Sequence, residues 1–166
     1  MGYVVYEWYT KEYGGKIDAS VFSQNIEKAS RRIDIHTTGI DGYRKLQEAF
    51  PINVYDENAV KLCACELVDI MAQINTEKAN AYATNGVISR EDGSVTGKVI
   101  SSVSSGSESI SYANPENARV KTAVSEAIKS VQSENDLYCS FIISALSGVS
   151  DRNGVNLLYM GRYPRV

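Results

Sequence analysis

Apolar residues recur at helical spacing in four stretches of the chain and alternate in one. Phe22, Ile26, Ala29 and Ile33 follow each other at steps of four, three and four, which predicts a helix with one buried face. Asp18 or Ser20 stands where a side-chain oxygen can accept from the free amides of its first turn, and Thr38-Gly39 marks its end. Tyr43 to Phe50 reads as a short amphipathic turn or two, stopped by Pro51. Val60, Cys63, Leu67, Ile70 or Met71, and Ile74 carry the strongest stripe, with Asp56 as the expected cap and Asn85-Gly86 as a left-handed stop. Unbroken from Asp56 to Thr84, this helix would be about 40 Å long at 1.5 Å per residue.

Elsewhere the pattern changes. Residues 3 to 13 hold Tyr3, Tyr6, Trp8, Tyr9 and Tyr13 and stop at Gly14-Gly15, which predicts an extended arm or short strand closed by a turn. From Gly86 to Tyr112 serine, glycine and β-branched residues dominate, with an Asp92-Gly93 turn and an alternating run from Ser107 to Tyr112. This predicts a long loop carrying a β-hairpin, too small to stand alone in water. Pro115 is placed to open a helix with the stripe Val120, Val124, Ala127 or Ile128, and Val131. A second stripe, Leu137, Phe141, Ala145 and Leu146, follows the polar stretch from Gln132 to Asp136, so two consecutive helices are expected. The tail, residues 151–166, has an Asn153-Gly154 turn, the apolar Leu157-Leu158-Tyr159 and the basic Arg162 and Arg165. It is expected to dock on a partner; the alternative is that Leu157 and Leu158 close the subunit's own core. The fold class is therefore mainly α: a small helical bundle, one domain over residues 1–166, with a hairpin loop over 86–112.

Composition adds to this picture chiefly by exclusion. With 43% hydrophobic and 22% charged residues, the 166-residue chain is that of an ordinary folded domain, long enough to bury about two-thirds of its unfolded surface. A net charge of -3 leaves no cation surplus for tight binding to a phosphate backbone. It suits a surface past which DNA slides without sticking. No apolar run is long enough for a membrane span and no leader pattern opens the chain, so a soluble, unexported protein is expected. Three cysteines, Cys63, Cys65 and Cys139, fit reduced, buried thiols.

The residues offer little catalytic chemistry. His36 is the one histidine, and Asp34, two residues away, points elsewhere on a helix, so a capping or surface role is expected. Cys63 and Cys65 lie about 200° apart on a helix, and no second ligand pair completes a zinc site. Neither Gly14-Gly15 nor Ser104-Ser105-Gly106-Ser107 has the context of a phosphate loop, and Glu91-Asp92 reads as a solvated turn. The tyrosines near the N-terminus could stack on bases, but Glu7 and Glu12 offset Lys11 and Lys16, so core or subunit contact is expected instead. No catalytic residue, metal or cofactor is expected.

Taken in order, three blocks resemble the head-tail connector (adaptor, or head-completion) proteins of tailed phages and prophages of Gram-positive bacteria. Tyr9-Thr10-Lys11-Glu12-Tyr13-Gly14-Gly15, followed by Phe22, Ala29, Ile33-Asp34 and Thr37, resembles that family's first helix and its lead-in. Val103 to Tyr112 is similar to the family's hairpin, with Gly106 at its glycine and Ser109 to Tyr112 at its closing strand. Leu157-Leu158-Tyr159-Met160-Gly161 resembles the terminal motif, in which an arginine usually stands where this chain has Met160. That departure puts any carried-over salt bridge in doubt, and Ala113 to Ser133 is longer than the family's usual connection.

The resemblance implies a structural virion protein at the head-tail interface, made in the host cytoplasm. It would form a homo-oligomeric ring of about twelve copies under a portal protein, with a tail-side neck or tail-completion protein as the other neighbour and DNA only as passing cargo. Interface residues expected on this basis and from the tail are Val103, Gly106, Ile110, Tyr112, Leu157, Leu158, Tyr159 and Arg162. Two alternatives stand beside it: a phage-derived helical regulatory or nucleic-acid-binding module, which would want a basic face, and a tail-completion or stopper protein, which differs only in its neighbours.

Overall fold

The computed structural model describes the backbone of residues 2–84, 86–89, 95–98, 102–105, 108–111 and 122–164, and the side chains of residues 2–79 and 122–164. Along the chain run α1 (Tyr6–Lys11), α2 (Ala19–Thr37), α3 (Lys45–Glu48), α4 (Val54–Thr84), the strands β1 (Gly86–Ser89), β2 (Val95–Lys98), β3 (Ser102–Ser105) and β4 (Glu108–Ser111), then α5 (Ala123–Ala127) and α6 (Val131–Ala145). The protein is mainly helical, as its stripes predict.

The organising element is α4, 31 residues without glycine or proline and about 46 Å long at 1.5 Å per residue. Its cap is Asn53, not Asp56. The Asn53 side chain accepts from the Tyr55 amide at 3.1 Å and its carbonyl from Glu57 at 2.9 Å. Asp56 sits inside the first turn, where its charge still favours the positive end of the helix dipole. Buried residues on α4 include Val60, Cys63, Leu67, Met71 and Ile74, as expected, but also Ala64, Cys65 and Val68. Two thiols about 200° apart can both be buried only if the helix is covered on more than one side. That is the case: α2, α5 and α6 all pack on α4.

The α2 stripe is as predicted, with Phe22, Ile26, Ala29 and Ile33 all buried. Asp18 occupies the cap position through its carbonyl, which accepts from Phe22 at 2.9 Å, while its side chain makes no capping bond. The aromatic N-terminal stretch is not an extended arm. Tyr6, Tyr9 and Tyr13 are spaced three and four apart, one face of a helix, and α1 lays that face on α2. The Tyr9 ring is fully buried, 4.9 Å from Phe22 and 5.5 Å from Tyr13 between centroids. The strand preference of tyrosine yields here to packing. After the helix the chain reverses at Gly14, φ +76°, and a side chain at Gly15 would place its Cβ 2.0 Å from the Tyr9 ring, so only glycine fits.

In the 86–112 segment, β1 pairs antiparallel with β2 and β3 with β4, Val103 opposite Ile110. The residues between the strands, with Asp92, Gly93, Gly106 and Tyr112, lie outside the described ones, as does Pro115 at the expected helix start. Two helices do follow, but the break between them falls earlier than expected. Ser130 caps α6 by accepting from the Ser133 amide at 3.0 Å, so Val131 begins the second helix and is exposed instead of belonging to the first stripe. The face of α6 turned inward is Tyr138, Ile142 and Leu146; Leu137, Phe141 and Ala145 flank it half-buried. An ion pair of 2.6 Å from Lys78 to Glu134 fixes the start of α6 beside the far part of α4, so α6 runs antiparallel to α4 and its end returns to the corner formed by α3.

Candidate interaction surface

At that corner the tail is held by a lysine. Lys45, the first residue of α3, is fully buried. Its ammonium donates to the carbonyls of Thr37 (3.0 Å), Leu157 (3.0 Å) and Tyr159, gathering the end of α2 and two points of the tail onto one side chain. An ammonium has three N–H donors, so this arrangement satisfies all of them. Burial lowers the Lys45 pKa, and the carboxylates of Asp151 and Asp41 partly offset that.

A second set of contacts closes the tail. Asp151 is buried and accepts from the amides of Asn153 (2.8 Å) and Val155 (2.9 Å) and from the Tyr163 hydroxyl (2.6 Å). Burial and the bond to Asp151 push the Tyr163 hydroxyl up to about 12. The Tyr163 ring stacks on Tyr43 at 3.9 Å between centroids. The Tyr163 amide donates to Asp41 at 3.0 Å and is the main reason that carboxyl lies below its ordinary range. Further along, Ile40 donates its amide to the Met160 carbonyl (3.1 Å) and Arg152 to that of Ala49 (3.1 Å).

For Leu157 these bonds favour the alternative reading, in which the tail closes the subunit's own core. Leu157 is fully buried and belongs to the subunit's own core, because the hook from Ser150 to Asn156 turns it inward and Lys45 fixes its carbonyl. Leu158 packs half-buried against that core. Tyr159 (47%) and Arg162 remain at the surface. Met160, where the resemblance expects arginine, is exposed at 53%, and its side chain has no charge with which to form the salt bridge. The side chains of Val103 and Ile110, and Gly106 and Tyr112 altogether, lie outside the described residues.

What the sequence stripes do not mark is the company Tyr159 and Met160 keep. Ile40 is 83% exposed beside Met160, and Ile52, Val54 and Tyr55 (84%) stand exposed where α4 begins. All lie at the end of the bundle where α2 stops, α4 starts and the tail is clamped. Single exposed apolar residues are ordinary, but six at one end form a surface that water does not favour. The only sequence signal was negative: Ile52, Val54 and Tyr55 fall outside every helical stripe.

Nothing in this region is arranged as a nucleophile and base. His36 is half-buried on α2, and burial and the nearby Arg32 lower its pKa. The carboxylate of Asp34 is taken by the Tyr3 hydroxyl and by Gln47 at 3.3 Å, so it does not orient His36. Burial raises the Cys63 and Cys65 thiols to about 12, which keeps them protonated and unreactive. Among the described residues no group of three His, Cys, Asp or Glu side chains could hold a metal ion, and no helix is long and apolar enough to cross a membrane. Comparison of the chain with protein-family models, with curated proteins and with solved structures finds no match in any of the three.

Proposed function

We propose that the chain is a structural adaptor subunit and not an enzyme, assembling as a ring in a phage neck between the portal and a tail-side protein. The observation that carries this reading is the apolar end of the bundle, where Ile40, Ile52, Val54, Tyr55, Tyr159 and Met160 stand exposed on a rigidly clamped corner. A surface of that kind on an ordered scaffold suits a permanent protein contact, since little conformational entropy remains to be lost when it is covered. The ordered likeness of the sequence blocks to head-tail connectors supplies the partner: a portal on one side, copies of the chain on the flanks. The net charge of -3 accords with DNA as passing cargo.

Electron microscopy of the purified protein mixed with portal rings tests this. The expected result is added density of ring symmetry beneath the portal, lost when Tyr55 and Ile52 are both replaced by glutamate while the far-ultraviolet circular dichroism stays helical. Portal rings that remain bare with the unaltered chain, or salt-dependent retardation of DNA by the free protein, would overturn it.

A further inference from the structure

The apolar end of the bundle is large for a surface left in water. Tyr55 is 84% exposed, Ile40 83%, Ile52 67% and Val54 65%, and with Met160 and Tyr159 they present on the order of 800 Å² of residue surface. The largest apolar patch on a typical monomer is about 300–600 Å². An area of about 800 Å² is what each partner gives to a protein contact of standard size, so two such ends laid together bury on the order of 1,600 Å². Little order has to be gained for this, because Lys45 already fixes the carbonyls of Leu157 and Tyr159 in the tail.

The charges around this end are of both signs. Arg44 and Glu48 flank α3, Asp41 precedes it, and Arg152 and Arg162 stand on the tail packed beside it; all five are exposed. None of them is joined in an ion pair within the subunit. A partner of one dominant sign would set like charge against either the arginines or the carboxylates, which opposes association. A second copy related by a two-fold axis carries the same set of both signs, so arginines of one subunit face carboxylates of the other. We infer that the free subunit pairs end to end with a second copy of itself through this face. The pair covers the surface that the adaptor reading assigns to a portal, which must then compete with the second copy for it. Only this consequence rests on the adaptor reading; the pairing stands on area and charge.

Sedimentation equilibrium of the full chain alone tests the pairing, and portal rings added to the paired chain test the competition. Dimers are expected at micromolar concentration. Ile52→Glu together with Tyr55→Glu should weaken the pairing at least tenfold with the helical circular dichroism kept. Glu48→Arg, which sets like charges against each other, should weaken it several-fold. Val131→Glu, at a residue 76% exposed at the start of α6 and so at the far end of the bundle, should leave it unchanged. A chain that stays monomeric at millimolar concentration, a dimer that survives the double substitution, or one lost equally on Val131→Glu overturns the inference. Dimers that form as expected beside portal rings that stay bare uphold the pairing and overturn the adaptor reading alone.

Discussion

Lys45 shows how one side chain can set the geometry of a corner. A buried ammonium costs several kcal/mol in lost hydration and is tolerated only where every donor is used. Replacing it with methionine would keep the length of the side chain and strand three carbonyls that now accept from it. Buried acceptors left without partners cost about 1–3 kcal/mol each, and partial relaxation leaves an expected loss of about 3 kcal/mol for Lys45→Met. For a chain of this size that corresponds to a melting temperature lower by about 6–12 °C. Thermal denaturation followed by circular dichroism checks it, and a variant melting like the parent would show that water replaces the clamp. Nothing in the sequence around Lys45 distinguishes it from a solvated lysine. Its role depends on residues 112 and 114 positions away, which local pattern does not reveal.

At the scale of elements, the caps and the tail make separate expectations. Ser130 holds the break between α5 and α6, so Ser130→Ala should cost about 1 kcal/mol with the helical spectrum otherwise kept. Deleting the chain from Leu157 onward removes a fully buried leucine and two of the acceptors of Lys45. It should lower the melting temperature by well over the effect of the cap, since a leucine lost from a core costs about 2–5 kcal/mol by itself. A truncated protein that melts unchanged would return the tail to the role of a free docking arm. Long stripes such as those of α2 and α4 were legible in the sequence because burial repeats along a whole face. The α1 helix and the inward face of α6 were not. Six residues of α1 are too few for a stripe to outweigh the strand preference of tyrosine, and on α6 two adjacent faces, led by Leu137 and Tyr138, are both apolar. Asn53 and Asp56 are likewise both competent caps, and only the observed hydrogen bonds separate them.

For the whole molecule, the buried phenols and thiols predict how the fold fails in alkali. Tyr9 and Tyr163 are raised from 10.0 to about 12, chiefly by burial and then by bonds to Asp69 and Asp151. Cys63 and Cys65 are raised from 9.0 to about 12, again chiefly by burial. In each case the native state keeps its proton after the unfolded chain has released it, so the unfolded chain binds fewer protons and stability falls as pH rises. The stability is intact below about 9 and is lost progressively toward 12. Lys45 acts in the opposite sense, because its lowered pKa makes the unfolded chain the better proton binder just below 10.5. One lysine does not outweigh these two phenols, the likewise raised Tyr3, Tyr13 and Tyr138, and two thiols. The part of the tyrosinate absorbance that comes from the buried phenols and the circular dichroism, followed together against pH, should change in one cooperative step above 10. Ionisation of all the phenols with the helices retained would contradict it.

The long separation between Lys45 and its acceptors also sets an order of events during synthesis. Leu157 is added to the chain 112 residues after Lys45, which at about 5–20 residues per second is a wait of about 6–22 s. Helices form in about a microsecond, so α2 and α4 have ample time to pair on the ribosome while Lys45 still has nothing to grip but the end of α2. Until the tail arrives, two of the ammonium's three donors have only water to meet. A chain halted short of Leu157 therefore has its helices but an open corner, cleavable by protease near α3. A chain that includes Leu157 and Tyr159 resists the same treatment because the tail closes the corner that α3 begins.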